Sequence, residues 1–413
     1  MSVFDVLAVL ITLSALFSYL NHRYIRLPTT IGLMLFALLM SLGLIVAGQW
    51  GVGLVQQARL VVGSIDFNQT LLKGMLSFLL FAGALHVNLS DLARQKWIIS
   101  LLATFGIITS TFLVGTSQWL ILGVLDVQMP WIYCLLFGAL ISPTDPIAVL
   151  GILKVAKIPK SLETKIIGES LFNDGVGVVV FLALLDIIMS GREVAASHFA
   201  FLFFIETGGG ILFGLAIGLM AYQMLKNVDN YQVEILITLA LVTGGYALAG
   251  YLHISGPIAI VVAGLLVGNH GRMLAMSQVT CEHLDTFWKL IDEILNAILF
   301  VLIGLEILVL PLSVKALLAG IVAIPVMLGA RFVSVGIPIL LLRPFRNFSP
   351  RVVRILTWGG LRGGISLALA LCLPAGPERD LFLLITYVVV VFSVVVQGLT
   401  IGRLFKTKSF ATK

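Results

Sequence analysis

The ionisable side chains that lie inside long apolar stretches of the sequence include Asp145, Glu169, Asp174, Arg331 and Arg362. A charge at the centre of a bilayer costs at least about 2.5 to 3.5 kcal/mol on insertion scales, so such residues mark functional sites by default. At about 1.5 Å per residue, Asp174 lies roughly 13 Å deeper than Lys165 in a hydrocarbon layer about 30 Å thick. Carboxylates at that depth can bind and release a proton or a small cation.

The charges of these five residues do not cancel. Three carboxylates accompany two guanidinium groups, and a guanidinium group cannot be deprotonated in a protein. One negative charge is left over, and a dry site with that excess must take up a proton or a small cation. Two species that compete for one carboxylate meet the minimum physical requirement for exchange.

A helix cannot run unbroken through Ser142-Pro143-Thr144-Asp145-Pro146, because each proline removes a backbone donor and clashes with the preceding turn. Broken backbone in the middle of a membrane survives only where protein buries it or where it lines a polar cavity. Its freed carbonyl groups can then ligate a cation. The alternative is a simple proline kink around a buried, protonated Asp145.

The next apolar segment carries four polar side chains. Glu169 and Asn173 are i,i+4 neighbours on a helix, and so are Ser170 and Asp174, so the four form two adjacent rows. The alternative to a functional polar face is a cluster that only holds helices together.

A second interruption occurs at Trp358-Gly359-Gly360-Leu361-Arg362-Gly363-Gly364. It falls in the twelfth apolar segment, and the first interruption falls in the fifth. That offset is expected if spans one to six and eight to thirteen are inverted repeats joined by span seven. Paired interrupted helices in matching positions mark the central site of a secondary transporter. Glycines that only allow close helix packing are the alternative.

Transmembrane helices must position these residues. The chain has 413 residues, of which 59% are hydrophobic and only 11% charged, whereas a soluble domain carries about 25% charged residues. Long unbroken apolar runs exclude a transmembrane β-barrel, whose strands alternate over about ten residues. We therefore predict an all-α polytopic membrane protein, a single integral-membrane transporter domain over residues 1–413. Thirteen spans are expected at about 3–21, 29–48, 70–89, 97–123, 130–153, 163–189, 199–225, 232–251, 254–270, 286–310, 315–342, 352–373 and 381–403.

Lysine and arginine residues divide unevenly between the two sets of predicted loops. Of 26, 19 fall on one side and 5 on the other, while Arg331 and Arg362 fall inside spans. Positive charge accumulates on the cytoplasmic side, so we predict an outside N-terminus and a cytoplasmic C-terminus. The net charge of +6 then reflects topology, and no nucleic-acid partner is expected.

Other function classes lack their signatures. An intramembrane enzyme needs a nucleophile with a base or a set of metal ligands, and the sequence has no His-Glu-x-x-His and no credible serine pairing. A cation channel would need rings of carbonyl or carboxylate groups along its pore. No repeated filter motif occurs, so a channel is the weaker alternative to a transporter. We expect no cofactor.

Taken together, these motifs resemble the NhaP-type sodium/proton antiporters of the cation:proton antiporter superfamily, the branch that includes the eukaryotic sodium/proton exchangers. The order of the motifs and the thirteen-span layout extend the resemblance over essentially the whole chain. The motifs that carry it are Thr144-Asp145-Pro146, Glu169-Ser170-x-x-Asn173-Asp174, Arg331 and Gly360-Leu361-Arg362-Gly363.

The resemblance implies a role for each residue of the site. Asp174 is expected to be the principal carboxylate for cation and proton, with Asp145 beside it. Ser170 and the Thr144 backbone are expected as further ligands. Asn173 is expected to bridge the two broken-helix elements.

The resemblance also implies that Glu169 pairs with Arg331, while pairing with Arg362 stays open. The Asn-Asp pair, where the electrogenic branch has Asp-Asp, implies electroneutral exchange of one cation for one proton. Some archaeal members add an acidic ligand from the third span. The stretch 81–86 in that span contains no acidic residue here, which leaves that side of the coordination shell to water.

The implied function is a secondary antiporter that exchanges Na+ (or Li+) for H+ by alternating access. K+/H+ exchange uses the same ligands and stays an alternative. The resemblance implies a homodimer in the plasma (inner) membrane, in contact with the lipid bilayer. In it an ion-transporting core of spans 4–6 and 11–13 moves against a scaffold of spans 1–3 and 7–10. The core is expected at about 97–189 and 315–403, and the scaffold at about 3–89 and 199–310.

Overall fold

The computed structural model describes residues 3–49, 54–63, 69–145, 160–190, 196–346, 348 and 351–405. The first nine helices are α1 (Val3–Leu20), α2 (Thr29–Gln49), α3 (Leu54–Gly63), α4 (Leu76–Leu85), α5 (Leu89–Arg94), α6 (Lys96–Leu101), α7 (Ile107–Val124), α8 (Trp131–Ile141) and α9 (Lys160–Ser190). The others are α10 (Ala196–Lys226), α11 (Tyr231–Tyr251), α12 (Gly256–Leu266), α13 (Gln278–Glu306), α14 (Val314–Leu342), α15 (Val352–Trp358), α16 (Gly364–Leu371), α17 (Pro377–Phe392) and α18 (Gly398–Phe405). Wide π-helical turns adjoin several of them, at Asn21–Ile25, Gln69–Met75, Leu102–Gly106, Val267–Gly271 and Ser393–Gln397, and a short turn follows at Arg272–Leu274.

Within the described ranges, nine helical stretches are long and apolar enough to cross a membrane, and α4 and α8 are shorter apolar helices. Helices satisfy their backbone hydrogen bonds internally, which is what a bilayer requires of a spanning segment. The chain is therefore an integral membrane protein, and the predicted all-α membrane fold is confirmed.

Each predicted apolar segment overlaps at least one helix of the structure. The number of spans and the inverted repeats stay predictions. In the fifth segment α8 ends at Ile141, and residues 146–153 lie outside the described residues. In the twelfth, α15 ends at Trp358 and α16 begins at Gly364. Both segments therefore lose helical structure where prolines or glycines interrupt the sequence.

Two helices differ from the predicted pattern. Helix α13 begins at Gln278, before the predicted start at 286, because the Ser277 hydroxyl accepts a hydrogen bond from the Thr280 backbone at 3.3 Å. This N-cap satisfies a donor that the helix itself cannot. Helix α3 lies in a stretch expected to be a connection. Propensity and capping thus extend helical structure beyond the apolar runs.

The buried apolar side chains form two clusters. The first cluster takes in α1, α2, α7, α8, α16, α17, the C-terminal parts of α9 and α13 and the N-terminal part of α14. It includes Val114, Leu122, Phe137, Phe181, Leu302 and Phe382. The second takes in α4, α6, α12, α15 and the opposite parts of α9, α13 and α14, and includes Leu80, Ile98, Leu162, Trp288, Ile339 and Ile355. Long helices therefore contribute one part of their length to each cluster.

The intramembrane charges lie where the two clusters meet. On α9 the second cluster ends at Leu171 and the first begins at Val176, with Asp174 between them. On α14 the first cluster ends at Ala330, next to Arg331. The polar residues thus form a layer between two apolar cores.

Helices α7 and α8 pack backbone to backbone. A Cβ atom at Gly138 would overlap the Thr111 carbonyl oxygen, and one at Gly115 would lie 2.8 Å from the Cys134 carbonyl oxygen. Glycine at both positions allows the close approach that membrane helices use in place of a hydrophobic driving force. This contact fixes the C-terminal end of α8, where the first interruption begins.

Candidate ion-binding site

The first interruption continues directly from α8. The Ser142 hydroxyl donates to the Gly138 carbonyl at 2.6 Å and lies 2.9 Å from the Ser110 hydroxyl. The helix ends at Ile141, and the chain continues through Ser142 and Pro143 to extended backbone at Thr144 and Asp145. Pro146, the second proline of the predicted break, lies outside the described residues.

The second interruption, between α15 and α16, pairs with the first. The Asp145 N–H donates to the Leu361 carbonyl at 2.8 Å in an isolated antiparallel bridge. A Cβ atom at Gly363 would overlap the Asp145 carboxylate, and one at Gly360 would lie 2.7 Å from Arg331 Nε. Glycine therefore allows the two extended segments to lie against each other at the level of the charged residues.

Helix α9 brings its four polar side chains to the first interruption. Glu169, Ser170, Asn173 and Asp174 are each at most 6% exposed. The Asn173 amide accepts a hydrogen bond from the Thr144 N–H at 3.3 Å and donates to the Thr144 hydroxyl at 2.8 Å. That hydroxyl also lies 3.1 Å from the Ser170 hydroxyl. Hydrogen bonds therefore connect α9 directly to the broken segment.

Arg331 lies against Glu169. Its Nη1 atom is 2.5 Å from Glu169 Oε1, and both side chains are buried. Its Nη2 atom donates to the Leu356 carbonyl of α15 at 3.4 Å. Of the two arginines considered from the sequence, Arg331 is the one that forms this ion pair, and it ties α14 to α9 and α15.

Arg362 reaches across to the first interruption. Its guanidinium group donates to the Ser142 carbonyl and, at 2.7 Å, to the Pro143 carbonyl. These are carbonyl groups that the end of α8 leaves without helical partners. The Arg362 guanidinium group therefore satisfies two of the carbonyl groups that the interruption leaves free.

The backbone of Arg362 is held by the last predicted span. Its N–H donates to the Ser393 hydroxyl at 2.8 Å, and that hydroxyl donates to Gln397 Oε1 at 2.7 Å. The Gln397 amide in turn donates to the Trp358 carbonyl at 3.1 Å. Neither Ser393 nor Gln397 was predicted from the sequence. Their i,i+4 spacing inside an apolar segment is the sequence feature that indicates two neighbouring polar side chains on one helix face.

A cavity of about 450 Å³ reaches the two aspartates. Asp145 and Asp174 lie at its inner end, and Lys289 and Glu293, whose side chains are largely exposed, line it further out. The cavity therefore opens to solvent on the side of Lys289 and Glu293. The Asp174 Oδ1 atom is buried and makes no hydrogen bond within the described part of the chain.

Acidic side chains from α13 line this cavity, and they were not predicted from the sequence. Asp292 and Glu293 line it, and Asp292 Oδ1 accepts a hydrogen bond from the Asn296 amide at 3.0 Å. Glu163 of α9 lines it as well. The sequence feature that indicates them is the pair of adjacent acidic residues inside the predicted tenth span. The third span, α4, supplies mainly apolar wall, as the absence of acidic residues in 81–86 indicates.

Two interrupted helices that meet beside buried carboxylates, at the end of a cavity open on one side, define a secondary active ion transporter. The chain belongs to the sodium/hydrogen exchanger family, since the transmembrane model of that family matches residues 11–407. The resemblance stated from the sequence motifs is thereby confirmed.

Individual relatives cover nearly the whole chain. The chain is 52% identical over 409 residues to the Na(+)/H(+) antiporter NhaP of Pseudomonas aeruginosa, covering 97% of this chain and 96% of that protein. It is 35% identical over 360 residues to the Na(+)/H(+) antiporter NhaH of Halobacillus dabanensis, covering 84% of this chain and 85% of that protein. Its fold is similar to that of the sodium proton antiporter MjNhaP1 from Methanocaldococcus jannaschii at pH 8, with a TM-score of 0.75, 19% identity and coverage of 98% and 99%.

Proposed function

We propose that this protein exchanges Na+ (or Li+) for H+ and that both ions bind at Asp174 and Asp145. The observation that carries the proposal is the position of the two carboxylates at the inner end of a cavity, with no described donor to Asp174 Oδ1. Buried polar atoms require partners, and a cation or a proton supplies one. The family and the antiporters named above support the choice of ions.

Uncharged oxygen atoms complete the proposed site. Ser170 and the backbone of Thr144 lie beside the carboxylates, and broken-helix backbone of this kind coordinates Na+ or H+ in secondary transporters. Asn173 positions Thr144 through its two hydrogen bonds. In this proposal Asn173 acts through Thr144 and does not carry the ion itself.

The charges of the site support one-for-one exchange. Glu169 and Arg331 neutralise each other, and Arg362 brings one positive charge against the two carboxylates of Asp145 and Asp174. One negative charge remains, and one Na+ or one H+ cancels it. The loaded site is then neutral with either ion, so exchange is electroneutral.

The cavity lies on the boundary between the proposed core and scaffold. Its lining comes from α9, Asp145 and α16 on the core side (97–189 and 315–403) and from α4 and α13 on the scaffold side (3–89 and 199–310). Relative movement of the two parts would close this cavity and open another on the opposite face. This location supports alternating access, with a homodimer formed through the scaffold.

We place the protein in the plasma (inner) membrane with its N-terminus outside and its C-terminus in the cytoplasm. Contacts between loops agree with the sides predicted from charge. Lys315 donates to the Asp126 carbonyl at 3.4 Å on the predicted outer side, and Arg346 donates to the Arg94 carbonyl at 2.7 Å on the predicted cytoplasmic side. The cavity then opens to the cytoplasm.

The proposal is tested in proteoliposomes with an imposed pH gradient. Na+, Li+ and K+ are added in turn while a dye reports internal pH and a second dye reports voltage, for wild type, Asp174→Asn and Asp186→Asn. Asp186 lies on the same helix and is exposed. Wild type and Asp186→Asn should collapse the gradient with Na+ or Li+ and without voltage, and Asp174→Asn should not.

Two outcomes would contradict the proposal. Collapse with K+ alone would make the protein a K+/H+ exchanger with the same ligands. A voltage change without proton movement would indicate a channel.

A further inference from the structure

A second polar pocket lies at the turn between α1 and α2, apart from the ion site. Its volume is about 550 Å³, and its lining includes Ser18, Asn21, His22, Arg23, Arg26 and Thr29. None of its lining residues is acidic. The pocket therefore presents positive charge without any carboxylate to balance it.

The wall of this pocket is fixed by the Asn21 side chain. Its amide donates to the Leu27 carbonyl at 2.8 Å and accepts from the Leu27 N–H at 3.1 Å. The Arg26 N–H donates to the Asn21 carbonyl at 2.6 Å, and Arg26 has a left-handed backbone with a φ of 60°. Gly32 leaves room for this arrangement, because a Cβ atom there would lie 2.5 Å from the Asn21 side chain. Hydrogen bonds within the turn between α1 and α2 therefore hold the pocket in shape.

The two arginines at this turn are available to a ligand. Arg23 and Arg26 are exposed, and neither guanidinium group forms an ion pair or hydrogen bond within the described part of the chain. Guanidinium groups match phosphate oxygens with paired hydrogen bonds. Thr29 at the start of α2 adds the positive end of a helix dipole. The chemistry of the pocket therefore favours a phosphate group.

The surroundings of the pocket favour a lipid over a free anion. Tyr19, Tyr24 and Ile25 beside it are 63%, 72% and 46% exposed, and Leu16, one turn deeper on α1, is 49% exposed. Tyrosine is enriched at the membrane interface, so a headgroup in the pocket would leave its acyl chains along the apolar side of α1. In the proposed orientation this turn faces the cytoplasmic leaflet, whose surface is negative.

We propose that this pocket binds the phosphate headgroup of an anionic phospholipid from the surrounding bilayer. A zwitterionic lipid would bring an ammonium group to a pocket whose lining offers it no carboxylate. An anionic lipid has a net negative charge and no ammonium group, and Arg23 and Arg26 can neutralise that charge. The proposal is independent of the ion site, because it uses none of the residues assigned there.

Native mass spectrometry of the purified full chain tests the proposal, with phosphatidylglycerol or phosphatidylcholine added in graded amounts. The test variant is Arg23→Gln/Arg26→Gln. The matched control is Arg343→Gln/Arg354→Gln, which removes two exposed arginines from the same predicted face. At roughly fivefold per basic residue, the test variant should bind phosphatidylglycerol about 30-fold more weakly. The control should bind within about twofold of wild type, and phosphatidylcholine should bind weakly to all three.

Further measurements distinguish loss of the lipid site from a folding defect. Both double variants should retain Na+/H+ exchange in neutral-lipid vesicles within about twofold of wild type, since neither pair belongs to the ion site. Arg23→Lys/Arg26→Lys keeps the charge but loses the paired geometry, so its affinity should fall between those of the wild type and the test variant. Equal loss in the control would show diffuse electrostatics and overturn the proposal. Displacement of the lipid by millimolar inorganic phosphate would show a small-anion site in its place.

Discussion

In the proposed ion site the uncharged ligands depend on Thr144, and Asn173 holds Thr144 in position. Two hydrogen bonds from one amide fix both its backbone N–H and its hydroxyl, at a place where no helix supports the chain. A hydroxyl held in this way can present its oxygen, or the adjacent backbone, to an ion without rearranging. Preorganisation of this kind lowers the cost of binding.

Substituting Asn173 tests this dependence. Asn173→Ala leaves the Thr144 N–H without this partner and leaves its hydroxyl with Ser170 alone, and an unsatisfied buried group costs about 1 to 3 kcal/mol. We expect the apparent affinity for Na+ to fall at least about tenfold, measured from the Na+ dependence of proton movement in vesicles. Asn296→Ala, which also removes a buried amide but one bound to Asp292, should have a smaller effect. An unchanged affinity in Asn173→Ala would remove Asn173 from the site.

Substituting Gly363 tests the position of Asp145, because the Asp145 carboxylate occupies the space beside Gly363. In Gly363→Ala the new Cβ atom would overlap the Asp145 carboxylate and must displace it. Overpacking of this kind costs about 1 to 3 kcal/mol, and we expect exchange at least about tenfold slower. Gly329→Ala on α14 places its Cβ atom in open space and should exchange at the wild-type rate. Normal exchange in Gly363→Ala would show that Asp145 can move freely.

The buried pair of Glu169 and Arg331 should contribute to folding more than to ion binding. Arg331→Met leaves a buried carboxylate without its partner, at a cost of about 3 to 5 kcal/mol. Replacing both residues, as Glu169→Leu/Arg331→Met, removes the uncompensated charge. Unfolding measured in detergent should therefore show a large loss of stability in the single variant and a substantial recovery in the double variant. A double variant that is no more stable than the single one would contradict this account.

Charge made most of the candidate site predictable from the sequence. Asp145, Asp174 and Arg331 stand out because a charge in an apolar run is costly and needs a reason. Ser393 and Gln397 did not stand out, because uncharged polar residues are common in membrane helices. The hydrogen bond between Asp145 and Leu361 could not be predicted either, since the sequence does not show which backbone groups meet.

At the scale of elements, Arg362 connects the two interrupted helices. Its side chain holds the end of α8, and its backbone is held by the turn that follows α17. Motion of either broken segment is therefore transmitted to the other. All the elements in this connection belong to the proposed core, as expected if that core moves as one body.

Arg362→Lys separates charge from geometry. A lysine keeps the positive charge but presents a single ammonium group where the guanidinium group reaches two carbonyls. We expect exchange to slow at least about tenfold and the protein to unfold at a lower temperature. Ser393→Ala removes two buried hydrogen bonds, one from the Arg362 N–H and one to Gln397 Oε1, and should cost about 1 kcal/mol for each. If lysine supports normal exchange, the charge of Arg362 matters and its reach does not.

Helix α13, which belongs to the proposed scaffold, contributes acidic side chains to the cavity. Asp292→Asn/Glu293→Gln removes two negative charges near the route to the site, so the local concentration of cations should fall. We expect the apparent Na+ affinity to fall a few-fold at low ionic strength, with the difference disappearing at high salt as charges are screened. Glu282→Gln, on the same helix but outside the cavity lining, is the control. A loss that does not depend on salt would indicate a direct ligand.

At the scale of the whole molecule, the layer between the two apolar clusters defines how ions can reach the site. The first cluster fills the protein beyond Asp174, and the cavity opens on the other side. In the proposed mechanism a charged site can be buried here because one ion replaces another and the buried charge stays compensated. The proposed alternating access and the cost of buried charge therefore favour the same arrangement.

Competition at one site predicts a particular dependence on pH. Protonation of the site carboxylate removes the ligand for Na+, so the apparent KM for Na+ should rise about tenfold for each pH unit below the pKa of that carboxylate and level off above it. The maximum rate at saturating Na+ should change much less. Rates measured over Na+ concentration at a series of pH values, equal on both sides of the vesicle, distinguish these two quantities.

A separate pH sensor would give the opposite pattern, with a constant KM and a falling maximum rate. His86, which lines the cavity and lies 3.5 Å from Asp285, is the side chain best placed to act in that way. Arg272 also binds Asp285, so the carboxylate keeps a partner whether or not His86 is charged. We therefore expect His86→Gln to leave the pH profile unchanged, because the carboxylates that carry the ions also set the response to pH.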